Sequence, residues 1–144
     1  MRLLSIDYGE KRIGLAITDE MEITVRPLSV IQRKNRRHDM KVLGEVLEEY
    51  GVERIIVGYP VSLDGARGPA CEKIDRFIHR MEKMFSMDIV RQDETLSSRE
   101  AEEILRETRK NPRKQRQMLD SLAACLILER YLENRRRQNS SGKS

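Results

Sequence analysis

Residues 54–60 read Arg-Ile-Ile-Val-Gly-Tyr-Pro, and this short stretch decides the fold. A wholly apolar run closed by Gly and Pro predicts a strand buried on both faces, as at the centre of a parallel sheet. Parallel neighbours need crossovers, and the flanks supply them. Upstream, residues 38–50 carry Met40, Leu43, Val46, Leu47 and Tyr50 at helical spacing, with Gly51 as a natural stop. Downstream, 62–68 reads as loop. A helix follows from Pro69, with Ile74, Phe77, Ile78, Met81 and Met84 on one stripe. Asp88 to Val90 predicts one more short strand, ending at Arg91-Gln92-Asp93-Glu94.

Toward the N-terminus, Leu3 to Ile6 and Ile13 to Thr18 predict two strands joined by the hairpin loop Gly9-Glu10-Lys11-Arg12. Ile23 to Ile31 is β-rich but contains Pro27, which marks an edge strand. Toward the C-terminus, Ser97-Ser98-Arg99-Glu100 is a capping box for a helix that Asn111-Pro112 interrupts. A last helix is expected over 115–134. The expected architecture is α/β: a mixed five-stranded sheet, three antiparallel strands followed by parallel crossovers, with helices on both faces. The ribonuclease H-like architecture has this pattern.

At 144 residues the chain is expected to form one domain over 1–137, with a basic, Ser/Gly-rich tail at 138–144 predicted to be disordered. Apolar runs fall far short of the ~20 residues of a membrane span. Asp7 interrupts any secretory apolar region, so a cytoplasmic protein is expected. Cys71 and Cys125 lack Cys-x-x-Cys spacing, and only His38 and His79 accompany them, which argues for reduced packed thiols and against a structural zinc site. Neither a Walker-type phosphate loop nor a Gly-x-Ser-x-Gly elbow is present. The net charge of +4 hides an asymmetry: residues 109–144 hold ten of the 28 Lys and Arg but only three of the 24 Asp and Glu. A second cluster runs Arg33-Lys34-Asn35-Arg36-Arg37. Such clusters suit a nucleic-acid partner, and solvated charge is the alternative.

In open α/β sheets, sites gather at the carboxyl ends of parallel strands. Asp7 closes the first strand, Glu94 follows the last, and Asp120 lies on the final helix with Ala123, Ala124 and Ile127 at i+3, i+4 and i+7, the apolar stripe. Taken singly, Asp7 also fits an Asx-turn, Glu94 an exposed loop acid, and Asp120 the N-cap of a helix that starts late. Together they form a hard, oxygen-only donor set suited to Mg²⁺ or Mn²⁺, with two such ions clamping an in-line phosphodiester displacement. Lys11 and Arg12 are candidates to hold the substrate phosphate, and Arg67, in a Gly-rich loop, is a third.

Asp7-Tyr8-Gly9-Glu10-Lys11-Arg12-Ile13-Gly14-Leu15-Ala16 closely resembles the opening motif of the YqgF family, also called RuvX, of bacterial ribonuclease H-like proteins. Three further blocks agree in order: Gly58-Tyr59-Pro60 with Asp64-Gly65 and Gly68-Pro69, then Asp93-Glu94-Thr95, then Asp120-Ser121-Leu122-Ala123-Ala124. The resemblance implies a nuclease processing the 5′ end of precursor 16S ribosomal RNA, with the precursor small subunit as a partner. It also implies kinship with Holliday-junction resolvases. The family carboxylates fall on Asp7, Glu94 and Asp120. Family members often carry Gly-Leu-Pro and Asp-Glu-Arg where this chain has Gly58-Tyr59-Pro60 and Asp93-Glu94-Thr95, so Arg67 or Arg91 is expected to replace the missing Arg. Gly58, on the strand beside Asp7, is expected to leave a gap across which Glu94 reaches. Two other readings stay open: a resolvase of branched DNA, which requires a homodimer, and a non-catalytic RNA-binding assembly factor. Monomer or homodimer, and internal or terminal cleavage, are not decided by the residues.

Overall fold

The computed structural model describes residues 1–60, 68–93 and 112–141, the side chains of 112–120 and 139–141 excepted. The elements run β1 (Leu3–Tyr8), β2 (Arg12–Thr18), β3 (Val25–Pro27), β4 (Ile31–Gln32), α1 (Arg36–Tyr50), β5 (Arg54–Tyr59), α2 (Pro69–Met84), β6 (Asp88–Asp93) and α3 (Pro112–Ser141). The helix expected after the capping box lies outside the described residues.

The sheet order is β3-β2-β1-β5-β6, with β4 also on β2. β1 and β2 are antiparallel, whereas β1–β5 and β5–β6 are parallel. The expected mixed sheet is therefore present, and β5 is its buried parallel centre. One expectation needs correcting: the third strand is not continuous. β3 pairs with Ala16–Thr18 and β4 with Arg12–Ile13, so Leu28, Ser29 and Val30 stand opposite only Gly14 and Leu15. The edge carries one extra residue, as in a bulge. Pro27, with no N–H to give, ends β3; Leu28 N–H then donates to Leu15 O at 2.9 Å and holds the edge to β2.

Strand alternation divides the core in two. Leu4, Ile6, Ile13, Leu15, Ile55 and Val57 face α1 and α2, packing on Met40, Leu43, Leu47, Ile74, Phe77, Ile78 and Met81; Met84, expected on the same stripe, ends α2 and is 60% exposed. Leu3, Ala16 and Ile56 face α3, packing on Ala124, Cys125, Ile127, Leu128 and Leu132. Cys71 and Cys125 belong to opposite layers, and both are free and buried as expected. α3 begins at Pro112, the first-turn position that tolerates Pro, and continues to Ser141, beyond the expected end near 134. No Gly or Pro interrupts 113–141. Beyond the expected end, Arg135 ties the helix to Glu22 through an ion pair.

Candidate active site

β1 carries the site. Its odd-numbered residues face α3, so Ser5 and Asp7 project toward the same layer as Leu3. The fully buried Ser5 hydroxyl donates to the carbonyl of Ala124 at 2.6 Å. At the far end of the helix the Arg54 guanidinium donates to the Tyr131 hydroxyl at 2.8 Å, at the start of β5. α3 therefore runs antiparallel to β1. From the Ser5–Ala124 contact, Asp7 lies two strand residues away, ~6.7 Å along β1. Asp120 lies four helical residues away, ~6 Å in the same direction. The Asp120 position is thus level with Asp7, well inside a helix that begins at Pro112, which rules out the N-cap reading.

The positions level with the half-buried Asp7 on both neighbouring strands are glycines. Its partner on β2 is Gly14. On β5 the register Ile6↔Val57 brings Gly58 level with it. The gap expected at Gly58 thus has a second half at Gly14. The sequence reading missed Gly14, although a Tyr8↔Ile13 hairpin pairing dictates it. β6 ends at Asp93, paired with Tyr59, and its Val90 and Gln92 share the face of Ile56 and Gly58. Glu94 is the next residue and lies outside the described residues, as does Arg67.

Gly9-Glu10-Lys11 forms the turn between β1 and β2, closed by Gly9 N–H to Arg12 O at 3.0 Å. A Cβ on Gly9 would sit 2.6 Å from that same oxygen, which is why the close approach needs glycine. Lys11 is exposed. Arg12, read as loop, is the first residue of β2 and shares the Asp7 face. Arg33 braces the turn: its guanidinium donates to Gly9 O at 2.8 Å and Glu10 O at 3.1 Å, pairs with Asp39 at 3.3 Å, and lies over the Tyr8 ring. Within the cluster 33–37, expected to position a nucleic-acid backbone, Arg33 is committed inward and Asn35 caps α1 by accepting from His38 N–H at 2.8 Å.

Arg91, one of the two expected substitutes for the family Arg, points away from Asp7. It donates to Asp75 of α2 at 3.1 Å on the opposite face from Asp7. Asp75 also accepts from the Tyr59 hydroxyl at 3.0 Å, so Tyr59 anchors a local network. Burial, reinforced by the Asp75 bond, pushes the Tyr59 phenol above its usual range.

Among the described residues no three His, Cys, Asp or Glu side chains converge as a metal cage. The fit to divalent ions rests on donor chemistry: the Asp7 carboxylate beside two glycines, at the level of an Asp on α3 and near the end of the strand that leads into Glu94. Carboxylates are the hard oxygen donors that such ions take.

The family model described as "RuvX: Holliday junction resolvase" matches residues 1–134. The chain belongs to the RuvX family. Membership makes it a nuclease, a hydrolase of phosphodiester bonds. A relative from Syntrophus aciditrophicus named "Putative pre-16S rRNA nuclease" is 47% identical over 133 residues, covering 92% of this chain and 89% of the relative. One of the same name from Geobacillus kaustophilus is 37% identical over 138 residues, covering 94% and 100%. The fold resembles the fowlpox virus Holliday junction resolvase, with TM-score 0.55, 18% identity, and 93% and 99% of the two chains covered. It also resembles Thermus thermophilus RuvC, with TM-score 0.51, 16% identity, and 88% and 92% covered. The RuvX chain therefore has the ribonuclease H-like fold. No helix among the described residues is long and apolar enough to cross a membrane.

Proposed function

We propose that this RuvX protein is a cytoplasmic, metal-dependent nuclease that trims the 5′ end of precursor 16S rRNA, using Asp7, Glu94 and Asp120. The observation that carries the reading is the Ser5–Ala124 hydrogen bond at 2.6 Å, which brings the Asp7 and Asp120 positions level across the sheet–helix interface. The names of the relatives support the RNA substrate. Mg²⁺ or Mn²⁺ held by these carboxylates, two ions in the full complement, would neutralise the charge that builds on the phosphate and activate the attacking water. Asp7, between the two glycines, would hold the ions together with Glu94 and Asp120. Lys11 and Arg12 hold the scissile or adjacent phosphate, and Arg67 is a further contact.

The family description favours a second reading, resolution of four-way DNA junctions. Two-fold junction symmetry would then demand a homodimer. The test is cleavage of labelled precursor-16S 5′-leader RNA and a matched DNA junction, with Mg²⁺, Mn²⁺ or EDTA, beside Asp7→Asn. Metal-dependent RNA cutting abolished in the variant is the expected result, with RNA binding nearly intact. Paired symmetric cuts in the junction alone would move the assignment to resolvase. Salt-sensitive RNA binding with no cutting of either would make the protein a non-catalytic assembly factor.

A further inference from the structure

The face of the sheet opposite α3 carries a second feature beside Asp7. A cleft of about 710 Å³ opens there, bounded by the β1–β2 turn, the start of α1 and the length of α2. A neighbouring cleft of about 470 Å³ shares Arg36, Arg76 and Arg80 with it and ends at His79 and Arg91. The two make one groove that begins at Asp7 and follows α2. From Lys73 to Arg80 the basic side extends ~10 Å along the helix axis, longer than a single phosphate requires.

Its charge inventory favours an anion. Arg33 is spent on the turn and on Asp39. Lys73 meets Glu10 at 3.6 Å and Arg76 meets Glu72 at 3.9 Å, but both pairs are exposed, and such pairs contribute only ~0–1 kcal/mol. A phosphate displaces either acid at small cost. Asp75 is neutralised by Arg91, leaving Glu82 as the other acid of the wall. The Arg80 Nε is shielded from solvent and has no hydrogen-bond partner among the described residues. The N-termini of α1 and α2 both open on this edge; Gly68 gives α2 no side-chain cap, and the acid of its first turn, Glu72, is the one already paired with Arg76. The aromatic ring on the wall, Tyr8, is stacked on Phe77 with centroids 4.2 Å apart and covered by Arg33, leaving no platform for a base.

We propose that this groove carries the backbone phosphates of the substrate strand on one side of the scissile bond. The strand crosses the β1–β2 turn from the carboxylates and runs along α2, held by Arg36, Lys73, Arg76 and Arg80 through phosphate and not through base identity. The inference rests on the nuclease reading for what lies at Asp7, but its test does not need cleavage.

The probe is a fluorescent single-stranded RNA 12-mer, bound in EDTA across a salt series to the full chain carrying Asp7→Asn. Arg36→Gln, Arg76→Gln and Arg80→Gln are compared with Lys41→Gln, an exposed α1 cation outside both clefts. Each groove variant is expected to weaken binding three- to tenfold and to flatten the log–log salt slope by ~0.7, the single-strand value for one phosphate left unneutralised. Lys41→Gln should change neither. Arg80→Lys, which keeps the charge, should bind more tightly than Arg80→Gln, and matching thermal melts distinguish a weakened groove from a damaged fold. Unchanged affinity and slope in all three variants would overturn the groove, whatever the chain cleaves. So would a mononucleotide binding as tightly as the 12-mer, since that describes an isolated phosphate site. Weakened binding in variants of a chain that cuts nothing would uphold the groove and remove the nuclease reading alone.

Discussion

The Ser5 hydroxyl and the Ala124 carbonyl, 119 residues apart in sequence, meet at 2.6 Å in the dry layer between β1 and α3. That bond sets the axial position of α3 against the sheet, and through it the position of Asp120 relative to Asp7. Ser5→Ala removes the donor but leaves the carbonyl inside a helical ladder, so the expected cost is ~1 kcal/mol. Ser5→Val adds bulk where the helix lies closest, and overpacking costs ~1–3 kcal/mol. Cleavage should fall much further than RNA affinity in Ser5→Val, because the chemistry depends on register and the binding groove lies on the other face. Urea melts and single-turnover cleavage separate the two effects. Full turnover in Ser5→Val would mean that α3 takes its register elsewhere.

The glycines beside Asp7 make a second prediction. Gly14 pairs with Asp7 directly, and Gly58 is level with it on β5. A side chain at either position projects onto the carboxylate face. Gly14→Val and Gly58→Val should each reduce metal-dependent cleavage by ~100-fold, the scale of a ~1 Å displacement of reacting groups. RNA binding in EDTA should stay near wild type. Raised Mn²⁺ restoring part of the activity would locate the defect in ion binding.

These glycines also mark how far the sequence could be read. The run 55–57 announces a buried parallel strand because its residues are apolar without alternation, a local signal. Asp7 is legible for the same reason, as the acid where an apolar strand stops. The break in the edge strand is not: Pro27 predicts an edge, but the extra residue at Leu28–Val30 depends on how two separate segments register against β2. Arg33 is the more instructive miss. In sequence it is one cation in a basic run. In the fold its fork meets two carbonyls and a carboxylate that only the hairpin and α1 bring together. Gly14 is recoverable, since a hairpin paired at Tyr8 and Ile13 puts it opposite Asp7.

Cys125 yields a prediction in pH. Burial, with a smaller contribution from Glu129, pushes its thiol up to about 11 from an ordinary 9.0. The folded value is raised, so the thiol's contribution to stability is complete below pH 9 and is lost as pH rises toward about 11. Wild type should lose more stability than Cys125→Ala between those limits, and the two should run parallel from pH 6 to 8. Denaturant midpoints taken at half-unit pH steps provide the comparison. Parallel curves through the alkaline range would show that Cys125 ionises as easily folded as unfolded.

The Arg33 brace predicts a defect in the turn rather than in the groove. Asp39 is only 5% exposed and receives both the Arg33 guanidinium and the Lys34 N–H, so removing Arg33 strips a nearly buried carboxylate of its cation. Arg33→Met should cost ~2 kcal/mol, the range for hydrogen bonds to charged groups. Arg33→Lys should recover little, because one ammonium cannot span Gly9 O, Glu10 O and the carboxylate together. Gly9→Ala disturbs the same turn from within, its Cβ directed 2.6 Å from Arg12 O. The variants should share a phenotype: kcat falls while the salt slope of RNA binding stays at the wild-type value, since the groove cations are untouched. A double-mutant cycle of Arg33→Met with Asp39→Asn should return a coupling energy well above zero. A flattened salt slope in Arg33→Met would return Arg33 to the phosphate contacts and leave the turn braced by something else.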